Sequence, residues 1–120
     1  MLFRSSVTAN CRRPLGMESR EIRNEQITVP SAYDNDFSTY GSHRARLNLT
    51  TWPPGYRADP NQVGGWIKVE LGKEMVITAI ATQGYGDDSI EEWVLQYMIM
   101  YSNGADYHSF KDLKGNLKVG

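Results

Sequence analysis

Two histidines and two acidic pairs are the side chains in this sequence whose chemistry first suggests catalysis. His43 and His108 lie in segments rich in turn-forming residues, and neither belongs to a metalloprotease, serine-hydrolase or phosphate-binding motif. Residues 87–88 and 91–92 could act as an acid and a base, but charges in a glycine-containing loop are far more often simply solvated. The sequence therefore predicts a protein that is not an enzyme.

Metal chemistry is restricted by a single cysteine and a few loop carboxylates. Cys11 is alone, so the sequence predicts neither an internal disulfide nor a cysteine-based zinc site. Asp34, Asp36 or nearby backbone carbonyls could supply oxygen ligands to Ca²⁺, but their spacing matches no calcium-loop template. We expect no cofactor, with Ca²⁺ as the open alternative and the metal, if any, unknown.

The overall composition is that of one globular domain. The chain has 120 residues, 40% of them hydrophobic and 22% charged, which is enough apolar content to build a core. Its 13 basic and 14 acidic residues leave a net charge of −1, so a nucleic-acid partner is not expected. The longest uncharged apolar stretch, residues 75–81, is far too short to span a bilayer.

Alternation of apolar and polar residues predicts an all-β domain. The clearest strand is 66–71, in which Ile67, Val69 and Leu71 share one face and two charged residues share the other. The other predicted strands are residues 26–29, 46–49, 75–82 and 93–101, the last two apolar on both faces, and a turn at 102–105 leads into a returning hairpin strand at 107–110.

Three long irregular segments, residues 31–44, 51–65 and 83–92, separate the predicted strands. Loops of this length are uncommon unless they carry function or are disordered. Their aromatic residues predict a ligand-binding end, and the alternative is that some of the rings cover the end of the sheets. The candidate binding aromatics are Tyr33, Phe37, Tyr40, Trp52, Tyr56 and Tyr85.

Six ordered motifs extend through the sequence from residue 11 to residue 97. They are Cys11-x-x-Pro14-Leu15-Gly16-Met17-Glu18, Gln26-Ile27-Thr28, Ala45-Arg46-Leu47-Asn48, Gly65-Trp66-Ile67-x-Val69-x-Leu71-Gly72, Thr78-Ala79-Ile80-Ala81-Thr82-Gln83-Gly84 and Glu92-Trp93-Val94-x-x-Tyr97. Together they resemble the discoidin family, the coagulation factor V/VIII type C domains. The resemblance covers residues 11–120, with residues 1–10 as an N-terminal extension. It implies a jelly-roll β-sandwich whose loops at one end bind phospholipid head groups, sugars or proteins, and whose last strands lie beyond this sequence.

The resemblance also implies a role for Cys11 and a place for the protein. In the family, a cysteine at this position pairs with one near the C-terminus of the domain, so the disulfide partner of Cys11 would lie beyond Gly120. Adhesion domains of this kind imply an extracellular or cell-surface location, although the first residues lack the apolar region of a secretory signal. Asn48 lies in a glycosylation sequon, but we expect it to be unmodified because the motif places it at a strand end, where its amide would hold the adjacent loop.

The charge of the three loop segments indicates the class of ligand. They carry seven acidic residues, including Asp87 and Asp88, against two basic ones. An anionic membrane attracts basic residues by roughly 1 kcal/mol each, and this end has no such ring. We therefore expect a cell-surface glycan or an extracellular protein as partner, with phosphatidylserine membranes as the alternative and a purely structural spacer as the third possibility.

Trp52 is the candidate binding residue with the most distinct alternatives. It follows the Asn48 motif and precedes two prolines, where several family members place a tryptophan beside the ligand pocket. It either lines that pocket, where its ring stacks on the ligand, or lies as a lid over the end of the sandwich.

Overall fold

The structure, a computed structural model, describes residues 2–5, 13–86 and 89–110. Within these ranges the chain forms short β-strands with little helix, and the all-β prediction is confirmed. The strands are β1 (Leu2–Ser5), β2 (Ile27–Thr28), β3 (Lys68–Val69), β4 (Ile77–Ala81), β5 (Tyr85–Gly86), β6 (Glu91–Glu92), β7 (Met100–Tyr101) and β8 (His108–Ser109).

The helical elements are short. One α-helix, α1 (Phe37–Tyr40), lies between single 3₁₀ turns at Tyr33–Asn35 and Ser42–Arg44, and a further 3₁₀ turn at Asn24–Gln26 precedes β2. None of the helices in the described ranges has the length and apolar character that crossing a membrane requires.

The strands pair antiparallel in four two-stranded sheets. β1 pairs with β4, so the described part of the N-terminal extension lies along a strand of the domain. β2 pairs with β3, β5 with β6 and β7 with β8. The last pair confirms the predicted hairpin, and its turn contains Gly104 at a φ of 102°, which favours glycine.

The core is built around the β2–β3 pair. Met17, Ile22, Ile27 and Ala45 are all buried, and Ile27 is directly opposite Val69 in the register. Burial of such apolar side chains is the main stabilising contribution to a fold of this size. The partly buried residues that pack against this cluster are Leu15, Tyr56, Ile67, Val69 and Leu71.

The predicted face of the strand at 66–71 is confirmed by this packing. Ile67, Val69 and Leu71 contact the core, while Lys68 and Glu70 are exposed. The regular pairing is shorter than predicted, but backbone and side-chain hydrogen bonds extend it. Glu70 N donates to Gln26 O at 2.8 Å, and Gln26 Nε2 donates back to Glu70 O at 2.7 Å.

A tight turn ahead of β2 requires glycine. Gly16 has a φ of 119°, and Ile22 N donates to its carbonyl at 3.1 Å. A Cβ at this position would lie 2.4 Å from Glu21 Cβ, far inside contact distance. The turn places Met17 and Ile22 side by side in the core.

The predicted strand at 46–49 is wrong. Ala45 and Arg46 are adjacent and both buried, which a strand with one buried face cannot provide, and the chain turns at residues 47–48 with Asn48 at a φ of 53°. Asn48 Nδ2 donates to Glu18 Oε1 at 3.0 Å. The expectation that Asn48 carries no glycan stays a prediction.

The strand predicted at 93–101 is also largely wrong. Only Met100–Tyr101 forms a regular strand there, and Trp93, Val94 and Leu95 are exposed by 66%, 73% and 82%. β4 lies within the predicted 75–82, but most of its side chains are exposed as well. Alternation and β-propensity detect such segments without revealing whether another layer covers them.

Candidate functional site

Residues 31–44 fold as consecutive helical turns, so their prediction as an irregular segment is wrong. Asp36 caps α1, because its Oδ1 accepts hydrogen bonds from Thr39 N at 3.0 Å and Ser38 Oγ at 2.7 Å. The side chain of Thr39 lowers the pKa of Asp36 most strongly, followed by the side chain of Ser38 and the backbone N–H of Thr39. Gly41 ends the helix, where a Cβ would lie 2.2 Å from Phe37 O. The compact turns hold Tyr33 and the residues of α1 on a defined backbone.

Arg44 fastens this first segment to the second. Its side chain is 8% exposed, and its Nε donates to Pro53 O at 2.9 Å while Nη2 donates to Thr51 O at 2.5 Å and also contacts Pro53 O. Burial, followed by the charge of Arg20, lowers the pKa of Arg44. The guanidinium thus fixes both residues that flank Trp52.

Three aromatic rings form a continuous row across the two segments. Tyr33 and Tyr40 meet edge to face with centroids 5.3 Å apart, and Tyr40 meets Trp52 in the same way at 5.7 Å. Such pairs are the favoured geometry for aromatic rings. Trp52 lies at the end of this aromatic row and is 63% exposed, so much of its ring surface is accessible to solvent.

Arg57 joins the aromatic row to the third segment. Its guanidinium lies 4.0 Å from the centroid of the Tyr33 ring and 5.8 Å from that of Tyr85, and its Nη2 forms a salt bridge with Glu92 Oε1 at 2.9 Å. Partial desolvation opposes the charged form, but Glu92 outweighs it and raises the pKa of Arg57. The backbone is tied as well, since Tyr33 N donates to Arg57 O at 2.9 Å.

The third segment, residues 83–92, is a short hairpin rather than the predicted irregular loop. β5 and β6 place Tyr85 opposite Glu92. Gly55 of the second segment approaches Tyr85 closely, because a Cβ there would lie 3.2 Å from the ring. Asp87 and Asp88, which follow β5 in the sequence, lie outside the described residues.

Two of the candidate aromatics are placed differently from the row. Tyr56 packs against the core and donates its hydroxyl to Ser31 O at 2.8 Å, and burial raises the pKa of this hydroxyl. Phe37 is 47% exposed on α1. Tyr33, Tyr40, Trp52 and, through Arg57, Tyr85 are therefore the candidates that the structure brings together.

The remaining predicted site residues give no metal centre that can be described. Cys11 lies outside the described residues. Asp34 is exposed and Asp36 has its Oδ1 engaged at the helix cap, and the described ranges contain no cluster of three His, Cys, Asp or Glu side chains. The expectation of no cofactor, with Ca²⁺ as its alternative, stays a prediction.

Sequence reasoning missed the two arginines that organise this end. In the sequence, Arg44 and Arg57 count only as positive charges of the loop segments. In the structure, Arg44 is buried and donates to backbone carbonyls, and the guanidinium of Arg57 lies near the rings of Tyr33 and Tyr85. The signal for Arg57 was available, because it is the single base of residues 51–65 and directly follows Tyr56.

Comparison with known proteins gives a family match and several relatives. The family model of the F5/8 type C domain matches residues 26–119. The chain is 39% identical to coagulation factor V of Sus scrofa over 104 residues, which cover 85% of this chain and 5% of that protein. It is 39% identical to neuropilin-1 of Gallus gallus over 114 residues, covering 91% of this chain and 12% of that protein.

Retinoschisin of Homo sapiens is 32% identical over 111 residues, which cover 89% of this chain and 49% of that protein. The chain thus spans less than half the length of each of these relatives. No solved structure matches it significantly.

Proposed function

This chain belongs to the F5/8 type C, or discoidin, family, and from that membership we propose that it is an extracellular adhesion module whose loop end recognises a glycan or a protein surface. Its fold is the β-sandwich of that family. Related domains in the coagulation factors, neuropilin and retinoschisin are non-enzymatic extracellular binding modules. The sequence resemblance is thereby confirmed, while the boundary at residue 11 and the identity of the ligand stay predictions.

The observation that carries this proposal is the aromatic row of Tyr33, Tyr40 and Trp52. Edge-to-face contacts hold Tyr40 against both neighbours and leave the exposed Trp52 at the end of the row. A ring held in this way presents a flat apolar face that has already lost its rotational freedom. The apolar face of a sugar ring is a suitable ligand for such a surface.

The charges around the row favour a glycan or protein over a phospholipid. The guanidinium of Arg57 is paired with Glu92, and that of Arg44 is buried against backbone carbonyls. Neither base of the three segments is therefore free to meet a lipid phosphate. Exposed carboxylates such as Asp34 can accept hydrogen bonds from sugar hydroxyls or pair with a cationic protein.

Binding assays on the 120-residue chain with a matched pair of tryptophan variants test the proposal. A glycan array, a set of cationic peptides and phosphatidylserine vesicles serve as probes. Trp52→Ala removes the end of the aromatic row, whereas Trp66→Ala removes an exposed tryptophan, 48% accessible, that lies outside it. Thermal melts of each variant report on folding.

We expect Trp52→Ala to weaken glycan or peptide binding about ten- to a hundredfold, equivalent to roughly 1–3 kcal/mol of stacking, with little change in Tm. Trp66→Ala should bind as the wild type does. A loss of stability in Trp52→Ala with unchanged affinity would reject the binding role of this ring. Binding to the vesicles alone would favour the membrane alternative, and binding to none of the probes would favour a structural spacer.

A further inference from the structure

An open recess of about 240 Å³ lies outside the aromatic row, beside the 3₁₀ turn that precedes β2. None of its lining residues was a candidate site residue, and none belongs to the aromatic row. It is lined by Arg20, Arg23, Asn24, Glu25 and Arg46.

Arg46 contributes a buried positive charge to this recess. The residue is 4% exposed, and its Nη1 donates to Met17 O at 2.6 Å while its Nη2 donates to Asn24 Oδ1 at 2.7 Å. Its Nε is buried and meets no acceptor in the described part of the chain. Buried charges are normally balanced by an opposite charge, and here the acceptors are neutral.

Two exposed arginines add to this unbalanced charge. Arg20 and Arg23 line the recess, and across the described ranges no carboxylate lies within 4.0 Å of either guanidinium. After burial itself, the nearby charge of Arg20 lowers the pKa of Arg46. Arg20 also has a φ of 71°, a left-handed backbone conformation that is uncommon for this residue type. The recess is thus lined by three arginines whose like charges repel one another.

We propose that this recess binds a single tetrahedral oxyanion, a sulfate or phosphate group, between the guanidinium groups of Arg20 and Arg23 and above the buried charge of Arg46. The volume is below the roughly 300–1,000 Å³ of pockets for drug-sized ligands, so the recess suits one small charged group. Guanidinium groups match the geometry of such oxyanions through paired N–H donors. Asn24 also lines the recess and its Oδ1 accepts from Arg46, and the N–H groups of its side-chain amide are donors of the kind that an oxyanion accepts from.

Glu25 is the negatively charged residue of this recess, so its neutralisation provides a second test of oxyanion affinity. Glu25 lines the recess and forms no ion pair with a described arginine, so its negative charge disfavours an anion there. Neutralising an arginine and neutralising Glu25 must therefore change oxyanion affinity in opposite directions.

The test titrates the 120-residue chain with sodium sulfate, sodium phosphate or sodium chloride at equal ionic strength. Arginine Nε–Hε resonances in ¹H–¹⁵N spectra report on the site, and Tm reports on binding to the folded state. We expect sulfate and phosphate to shift the Arg46 Nε–Hε resonance in a saturable way and to raise Tm, with no saturable effect of chloride. Shifts no larger or more saturable than those with chloride would overturn the proposal.

Four variants locate the effect. Arg20→Gln with Arg23→Gln should raise the Kd at least about tenfold, the loss expected for charge-assisted hydrogen bonds, and Glu25→Gln should lower it. Lys73→Gln removes an exposed cation that does not line the recess and should leave the Kd unchanged, as should Trp52→Ala. Equal losses in the double variant and in Lys73→Gln would show nonspecific screening and refute the site. Because Trp52→Ala tests the loop end separately, failure at either place leaves the other result interpretable.

Two esters then distinguish the source of the oxyanion. A sulfated disaccharide and glycerol phosphate each present one of the two groups on a larger ligand. Tighter binding of the disaccharide than of inorganic sulfate assigns the recess to sulfated sugars, and tighter binding of glycerol phosphate than of inorganic phosphate assigns it to phosphate esters. Either result supports the oxyanion site. If neither ester displaces inorganic sulfate or phosphate from the recess, the proposal is contradicted.

Discussion

Arg44 and Arg57 show how differently one residue type can act within a single site. Arg44 is buried and satisfies the carbonyls of Thr51 and Pro53. Arg57 is partly exposed, stacks on Tyr33 and pairs with Glu92 at the surface. Unsatisfied buried acceptors are costly, whereas exposed ion pairs contribute little to stability.

The two arginines therefore predict contrasting alanine variants. Arg44→Ala should lower the free energy of unfolding by about 3 kcal/mol, since it leaves two carbonyls without a donor. Arg57→Ala should lower it by less than about 1 kcal/mol. Urea unfolding monitored by tryptophan fluorescence measures both. Equal losses in the two variants would contradict the distinction between a buried clamp and a surface pair.

At the scale of elements, α1 depends on its cap. The Asp36 carboxylate accepts hydrogen bonds from Thr39 and Ser38, which favour the charged form in the folded chain. Its pKa in the folded state is therefore below the ordinary value of 3.8. The stabilisation from this cap is fully present above the unfolded-state pKa and is lost as the pH falls through the folded-state pKa.

This linkage predicts a pH dependence confined to acid. The difference in unfolding free energy between wild type and Asp36→Ala should be constant above about pH 5 and should shrink below pH 3.8. Asp36→Asn, which keeps a capping oxygen but cannot titrate, should show no such component relative to the alanine variant. Denaturant melts at a series of pH values measure all three proteins. A constant wild-type-to-alanine difference down to pH 2 would contradict the assignment of the cap.

Some elements were predictable from sequence, and others depend on contacts that local pattern does not encode. The face formed by Ile67, Val69 and Leu71 was predicted because period-two alternation determines which side chains share a side. The turn at Asn48 was missed because burial of Arg46 results from partners 29 and 22 residues away, Met17 and Asn24. In the three loop segments, composition identified the aromatic residues. The aromatic row itself depends on helical turns, which the abundance of turn-forming residues in residues 31–44 did not predict.

At the scale of the whole molecule, the segment from β6 to β7 exposes several large apolar side chains. Trp93, Val94 and Leu95 are largely exposed, and Met98 and Met100 are exposed by more than half. A concentration of exposed apolar side chains favours interaction with another surface or self-association. The feature lies outside the buried cluster around Met17 and Ile27.

We expect the 120-residue chain to self-associate in a concentration-dependent manner through this surface. Leu95→Glu should reduce association because it introduces a charge at a position exposed by 82%. Val63→Glu, at a position exposed by 91% but distant in sequence, is the matched control. Sedimentation velocity over a range of concentrations measures the effect. Equal reduction by both variants would indicate that net charge, and not this surface, governs association.

The hydrogen bonds of Arg44 between residues 31–44 and 51–65 affect how these two segments move. One guanidinium donates to two carbonyls of a neighbouring segment, and Arg57 and Tyr33 tie the same segments through their backbones. Neither segment can open without breaking bonds that belong to the other, so their amides should exchange with solvent as a single cooperative unit. A ligand arriving at Trp52 would then meet a surface whose ordering entropy was already lost on folding, and its affinity would depend little on loop closure.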